Sequence, residues 1–196
     1  MANYVALRDR RLQGGVPNRP RLTIINTDEN TSLRSAFAQI NAAARTGRIN
    51  TLFILCHGFA GENTRGAVCM DAGGMGLLLG KENMLHGNVS MWRAIANKID
   101  NIVVYACGAG DTQPGNEGTT ADGKYLMGAL AIHTNASVFA ADKIQWYSTF
   151  QNSPHGRFDF GDWEGTLWDF PPTGTAATPV LSAPVEFADV MSGTAP

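Results

Sequence analysis

The sequence predicts an α/β domain in which a mostly parallel central sheet carries helices on both faces. Two segments, Leu52-Phe53-Ile54-Leu55-Cys56 and Ile102-Val103-Val104-Tyr105-Ala106, are apolar runs of strand length without polar alternation, the pattern of strands covered on both sides. The intervals around them place apolar residues at helical spacing, so strands and helices alternate along the chain. Both runs stop abruptly at a reactive side chain followed by glycine, His57-Gly58 and Cys107-Gly108. Ligands of open α/β sheets bind beyond the carboxyl ends of the strands, which is where both pairs fall.

Arg21-Leu22-Thr23-Ile24-Ile25-Asn26 is the first predicted strand. Thr31 or Ser32 then caps a helix whose Leu33, Phe37, Ile40 and Ala44 share one face, and Gly47 is placed to end it. The second strand covers about 50–56. Residues 66–80 form two apolar arms around a glycine-rich turn and read as a β-hairpin, followed by a helix with Val89, Trp92, Ala96 and Ile99 on one side. The third strand spans 101–106. Gly, Asp, Asn and Pro dominate 108–118, an expected exposed loop, after which Thr119 and Asp122 mark the start of a helix that turns Leu126, Ala129 and Leu130 to the sheet. Residues 136–141 make a fourth strand. Gln145-Trp146-Tyr147 and the aromatic segment 158–170 imply further short strands or a covering flap, with the tryptophans serving packing. A single domain over residues 1–170 is expected; from Pro171 the composition shifts to Pro, Thr, Ala and Gly, so 171–196 reads as a tail or extended arm.

With 196 residues, 44% of them hydrophobic, the chain can bury one full core. The net charge is only −2 and no basic cluster is longer than the stretch from Arg8 to Arg11, so phosphate-driven nucleic-acid binding has no support. That basic stretch reads as a solvated N-terminal arm. No apolar run approaches the roughly 20 residues of a membrane span, and the N-terminus lacks the apolar core of a secretory signal; no membrane partner and a cytoplasmic location are the expectations. The three cysteines have no CxxC spacing, which argues against both a disulfide framework and a thiolate zinc site. No metal or cofactor is expected.

A thiol attacks as the thiolate, and an unperturbed cysteine is mostly protonated at neutral pH, so an imidazole is the usual activating partner. His57 supplies one for Cys107. Gly58 and Gly108 leave room for a carbonyl to approach backbone N–H groups, as stabilisation of an oxyanion requires. Cys56 belongs to the strand itself and is expected to point into the sheet's packing, and Cys69 sits in a hairpin arm. His86, His133 and His155 have no spacing that implies a metal, and Glu62 and Asp71 read as solvated.

The strand-end His57-Gly58, the following hairpin, and the apolar strand ending in Ala106-Cys107-Gly108 resemble the caspase-like cysteine peptidases: caspases, gingipains, clostripain, legumain, separase and toxin self-processing domains. The histidine and cysteine are 50 residues apart in the chain, close to the caspase spacing. The resemblance implies a caspase-like three-layer sandwich and a cysteine endopeptidase acting on a protein or peptide substrate through a Cys-His dyad. It assigns Cys107 as nucleophile, His57 as general base and acid, and the N–H groups of Gly58 and Cys107 as oxyanion hole. Tyr105, two residues before the nucleophile, stands where caspases carry glutamine and clostripain aspartate, so a small or apolar residue before the scissile bond is expected. Asp142, in an Ala140-Ala141-Asp142 run shared with a bacterial surface-protein domain family, and Trp146 join Tyr105 as candidate substrate contacts. Two alternatives stand beside this reading: a non-catalytic module that binds a peptide in the same groove, and an α/β-hydrolase-like esterase, for which His57-Gly58-Phe59-Ala60-Gly61 offers an oxyanion loop but Tyr105 breaks the nucleophile elbow.

Overall fold

A computed structural model of the chain describes residues 3–59, 73–149 and 158–196. The strands are β1 (Tyr4–Asp9), β2 (Leu22–Thr27), β3 (Ile49–Leu55), β4 (His57–Gly58), β5 (Leu77–Leu78), β6 (Ile99–Tyr105), β7 (Ser137–Ala141), β8 (Ser148–Thr149), β9 (Phe158–Asp159), β10 (Leu167–Phe170) and β11 (Thr178–Val180). The helices are α1 (Leu33–Ala43), α2 (Gly123–Thr134) and α3 (Phe187–Ser192), with 3-10 turns at Ala44–Thr46 and Val89–Ile95. Seven strands form one sheet in the order β11-β10-β7-β6-β3-β1-β2. Its five strands from β2 to β7 run parallel, and β10 and β11 add an antiparallel edge. No helix among the described residues is long and apolar enough to cross a membrane.

Chain direction decides which face each connection covers. From β2 to β3, β3 to β6 and β6 to β7 the chain always advances the same way across the sheet, so right-handed crossovers stack α1, Val89–Ile95 and α2 on one face. There Leu33, Phe37, Ile40, Trp92, Leu126 and Leu130 pack on Leu52, Ile54, Ile102 and Val104. The step from β1 to β2 runs the opposite way, and its connection crosses the other face, where Leu12 is buried. α3 and the aromatic segment complete that second layer: Phe158, Phe160, Phe187, Val190 and Met191 cover Phe53, Leu55, Val103 and Tyr105. Helices therefore lie on both faces, unevenly.

Local signals explain the element ends. Ser32 caps α1 by accepting from the Ser35 N–H at 3.2 Å, and Asp122 caps α2 by accepting from the Tyr125 N–H at 2.9 Å. The segment carrying Val89 and Trp92 is a 3-10 turn that buries Val89, Trp92 and Ile95 at a spacing of three, and Ile99 belongs to β6 instead of the turn. Residues 171–196 supply β11 at the sheet edge and α3, whose Phe187, Val190 and Met191 are buried in the second layer.

Two expectations require correction. The stretch from Arg8 to Arg11 is not a solvated arm: Tyr4–Asp9 is an interior strand flanked by β2 and β3, and Arg11 is ion-paired with Asp9 at 2.7 Å. Its apolar Tyr4, Val5, Ala6 and Leu7 outweigh the charges that follow, because an interior strand places only its last residues at the sheet edge. The loop after Cys107 is exposed only from about residue 113, since Ala109, Gly110 and Asp111 are buried against the ends of β7 and α2. Of the expected hairpin 66–80, the first arm lies outside the described residues; the second supplies β5, which pairs antiparallel with β4.

Candidate active site

Neighbouring strands bring the two motifs together. β3 and β6 pair in parallel with Leu55 opposite Tyr105, and the Cys56 N–H donates to the Tyr105 carbonyl at 3.3 Å. Both strands end at this pair, and His57 and Cys107 each follow two residues on, at the carboxyl edge. Side chains alternate faces along each strand: Leu52, Ile54 and Cys56 join the helix-side core, whereas Phe53 and Leu55 join the second layer.

The backbones at these ends are almost in contact. A Cβ on Gly58 would lie 1.9 Å from the Cys107 carbonyl oxygen and 2.9 Å from its carbonyl carbon, a separation no side chain tolerates. Gly108 has a φ of +56°, the left-handed conformation that turns the chain sharply after Cys107. Four hydrogen bonds hold this turn: Gly108 N–H to Lys143 O at 2.8 Å, Gly110 N–H to Ala141 O at 2.9 Å, Asp111 N–H to Gly108 O at 3.0 Å, and Gly74 N–H to Gly108 O at 2.9 Å. β5 holds the histidine from the other side, with Leu78 opposite His57 and Leu77 opposite Gly58.

Burial pushes the Cys107 thiol above its ordinary pKa, while backbone hydrogen bonds from Gln145, Gly58 and Cys107 itself pull it down. The Sγ also lies 3.9 Å from the Gln145 carbonyl oxygen, to which the thiol donates. Cys56 is buried, and desolvation pushes its thiol far above the ordinary range, which makes it inert. Cys69, His155, Glu62 and Asp71 lie outside the described residues.

The other sequence candidates are distributed around this edge. Tyr105 is 4% exposed, its ring stacked between Phe160 (4.3 Å between centroids) and Trp163 (4.6 Å), and its hydroxyl accepts the Phe187 N–H at 3.1 Å. Its side chain is a core element that ties α3 to the nucleophile strand. Asp142 tethers the start of β10: one carboxylate oxygen accepts the Thr166 N–H at 2.9 Å and the other the Trp168 indole N–H at 3.1 Å. Trp146 is 61% exposed and follows Gln145, the residue touching Cys107. His86 stacks on Tyr125 with its Nε2 3.4 Å from the Gly74 carbonyl oxygen, and His133 accepts from the Arg93 guanidinium at 3.1 Å.

Three residues of the edge escaped the sequence reading. Asp111 accepts the Gly73 N–H at 2.9 Å, which joins the loop after Cys107 to the segment leading into β5, and both of its oxygens accept from the Gln113 amide. An acid placed straight after Gly108-Ala109-Gly110 was the available signal. Asp9, fully buried, accepts from Arg11, Thr27 and the Gly80 N–H. Through the Gly80 N–H this network anchors the far end of the β5 segment to β1. Gln145 carried no sequence signal. No protein-family model, curated protein or solved structure matches the chain.

Proposed function

We propose that this chain is a cysteine endopeptidase of the caspase-like type, with Cys107 as nucleophile and His57 as general base and acid. The observation that carries the reading is the parallel pairing of β3 and β6 as neighbours up to Leu55 and Tyr105, beyond which Gly58 of one chain segment abuts the Cys107 backbone of the other. The close approach of Gly58 to the Cys107 backbone, where a Cβ on residue 58 would meet the Cys107 carbonyl, supports it.

In this mechanism His57 takes the proton of the Cys107 thiol as the sulfur attacks the substrate carbonyl carbon. The carbonyl oxygen becomes an oxyanion that accepts from the Gly58 and Cys107 N–H groups. Collapse of the tetrahedral intermediate breaks the C–N bond, and the imidazolium returns its proton to the departing amine. A water, deprotonated by His57, then attacks the thioester, releasing the acid and the thiol. Burial acts against a free thiolate at Cys107, so proton removal by His57 is coupled to attack in this mechanism.

The test is cleavage of a peptide library followed by mass spectrometry. Wild type is expected to cut, Cys107→Ala to abolish cutting while keeping the fold, and His57→Ala to remove most of it. Persistent cleavage by a folded Cys107→Ala protein refutes the mechanism. A non-catalytic peptide-binding module is the second reading, and the observation favouring it is the elevated thiol pKa; equally slow haloacetamide labelling of Cys107 and the buried Cys56 would select it.

A further inference from the structure

We infer that Gln145 is a positioning residue for Cys107, acting through the backbone of the segment 143–147 that borders the sulfur. The inference rests on the reading of Cys107 as nucleophile. Residues 143–147 leave β7 and cross the carboxyl edge without belonging to any strand, so no ladder of hydrogen bonds fixes them. They nonetheless form one wall of the nucleophile's surroundings: Lys143 O accepts the Gly108 N–H at 2.8 Å, and Gln145 O lies 3.9 Å from Sγ.

What holds that wall is the Gln145 side chain. The residue is 5% exposed, and its Nε2 donates to three carbonyls: Phe160 O at 2.9 Å, Asp162 O at 3.2 Å and Trp146 O at 3.3 Å. Three carbonyl acceptors around one atom settle which end of the amide is the nitrogen. Phe160 and Trp163, on the same stapled stretch, sandwich Tyr105, and Tyr105 precedes Cys107 by two residues. The amide therefore closes a ring of contacts from Cys107 through Gln145, the aromatic segment and Tyr105 back to Cys107. Oε1 is buried with no hydrogen-bond partner, so the side chain's polar contribution rests entirely on its N–H groups. A side chain of equal size without those donors fills the space but releases the wall.

This separates Gln145→Met, which keeps the volume and removes the donors, from Gln145→Glu, which regains one donor only when protonated. The measurement is the rate at which Cys107 of the full chain reacts with 2,2′-dithiodipyridine across pH 4.5 to 8.5, assigned by peptide mapping, with urea unfolding recorded in parallel. In Gln145→Met the Cys107 rate is expected to fall on the order of tenfold at every pH, and kcat for peptide cleavage by about ten- to a hundredfold with KM little changed. In Gln145→Glu the deficit is expected at neutral pH and to shrink towards wild type as the carboxyl protonates. A folded Gln145→Met protein whose Cys107 profile superimposes on wild type overturns the inference. Should that variant not fold, a Gln145→Glu profile parallel to wild type at all pH values overturns it equally. Wild type that labels normally but cuts no peptide refutes the endopeptidase reading instead, so the two failures are distinguishable.

Discussion

Gly58→Ala perturbs the closest approach in the site. The new Cβ would stand 1.9 Å from the Cys107 carbonyl oxygen and 3.2 Å from its nitrogen. Carbon–oxygen contacts in proteins settle near 3.3–3.6 Å, so one strand end must retreat by roughly 1.4 Å. Neither end gives way cheaply. Gly58 pairs with Leu77 of β5, and the peptide after Cys107 is pinned by the hydrogen bonds of Gly108 to Lys143 and Gly74. The reduced freedom of the unfolded chain offsets only about 0.4–1 kcal/mol, against about 1–3 kcal/mol for overpacking. A displacement of about 1 Å between reacting groups costs about a hundredfold in rate, or roughly 2.7 kcal/mol of barrier. The Gly58→Ala protein is therefore expected to lose a hundredfold or more in kcat/KM on any peptide that wild type cuts, and to unfold at lower urea. Measuring kcat/KM beside the Cys107 labelling rate and a urea curve separates the local effect from global loss. A folded Gly58→Ala protein within about threefold of wild type in kcat/KM would refute the assignment of this strand contact to the catalytic edge.

Two further outcomes follow from the core and the edge. Tyr105→Phe keeps the stacked ring but leaves the Phe187 N–H without its acceptor, so urea unfolding is expected to show a loss of about 1–3 kcal/mol, and an unchanged midpoint would contradict the role given to the hydroxyl. For Asp9, burial acts to raise the carboxyl pKa, but hydrogen bonds from Arg11 and Gly80 and the Arg11 charge outweigh it and hold the pKa below the ordinary value. A depressed carboxyl pKa contributes stability that is present above the unfolded value of about 3.9 and lost as pH falls through the folded value. The melting temperature of wild type is thus expected to exceed that of Asp9→Asn by a margin that is constant above pH 5 and shrinks below about pH 4. A margin independent of pH down to 2.5 would exclude this linkage.

Much of the layout was legible in residue pattern. Ile49–Leu55 and Ile99–Tyr105 show no polar alternation because helices or aromatic segments cover both sides, and Ser32, Asp122 and Gly47 mark helix ends through backbone groups that must be satisfied locally. Local signals failed where a partner distant in sequence sets the outcome. The stretch from Arg8 to Arg11 reads as a solvated arm in sequence because only the place of Tyr4–Asp9 between β2 and β3 builds its start into the sheet. The Pro- and Thr-rich composition of 171–196 gave no sign that Phe187, Val190 and Met191 would cover Tyr105 and Phe53.

The two strand ends carry the same division. Residue chemistry alone determined that His57 and Cys107, each followed by glycine, terminate apolar strands, since the alternation and the break in pattern are properties of a few consecutive residues. Tertiary structure alone decided that these strands are neighbours in register, that Gly58 abuts the Cys107 carbonyl, and that Gln145 borders the sulfur. Those contacts join residues tens of positions apart, and their energy arises only once the sheet order is set, so no local window of sequence contains them.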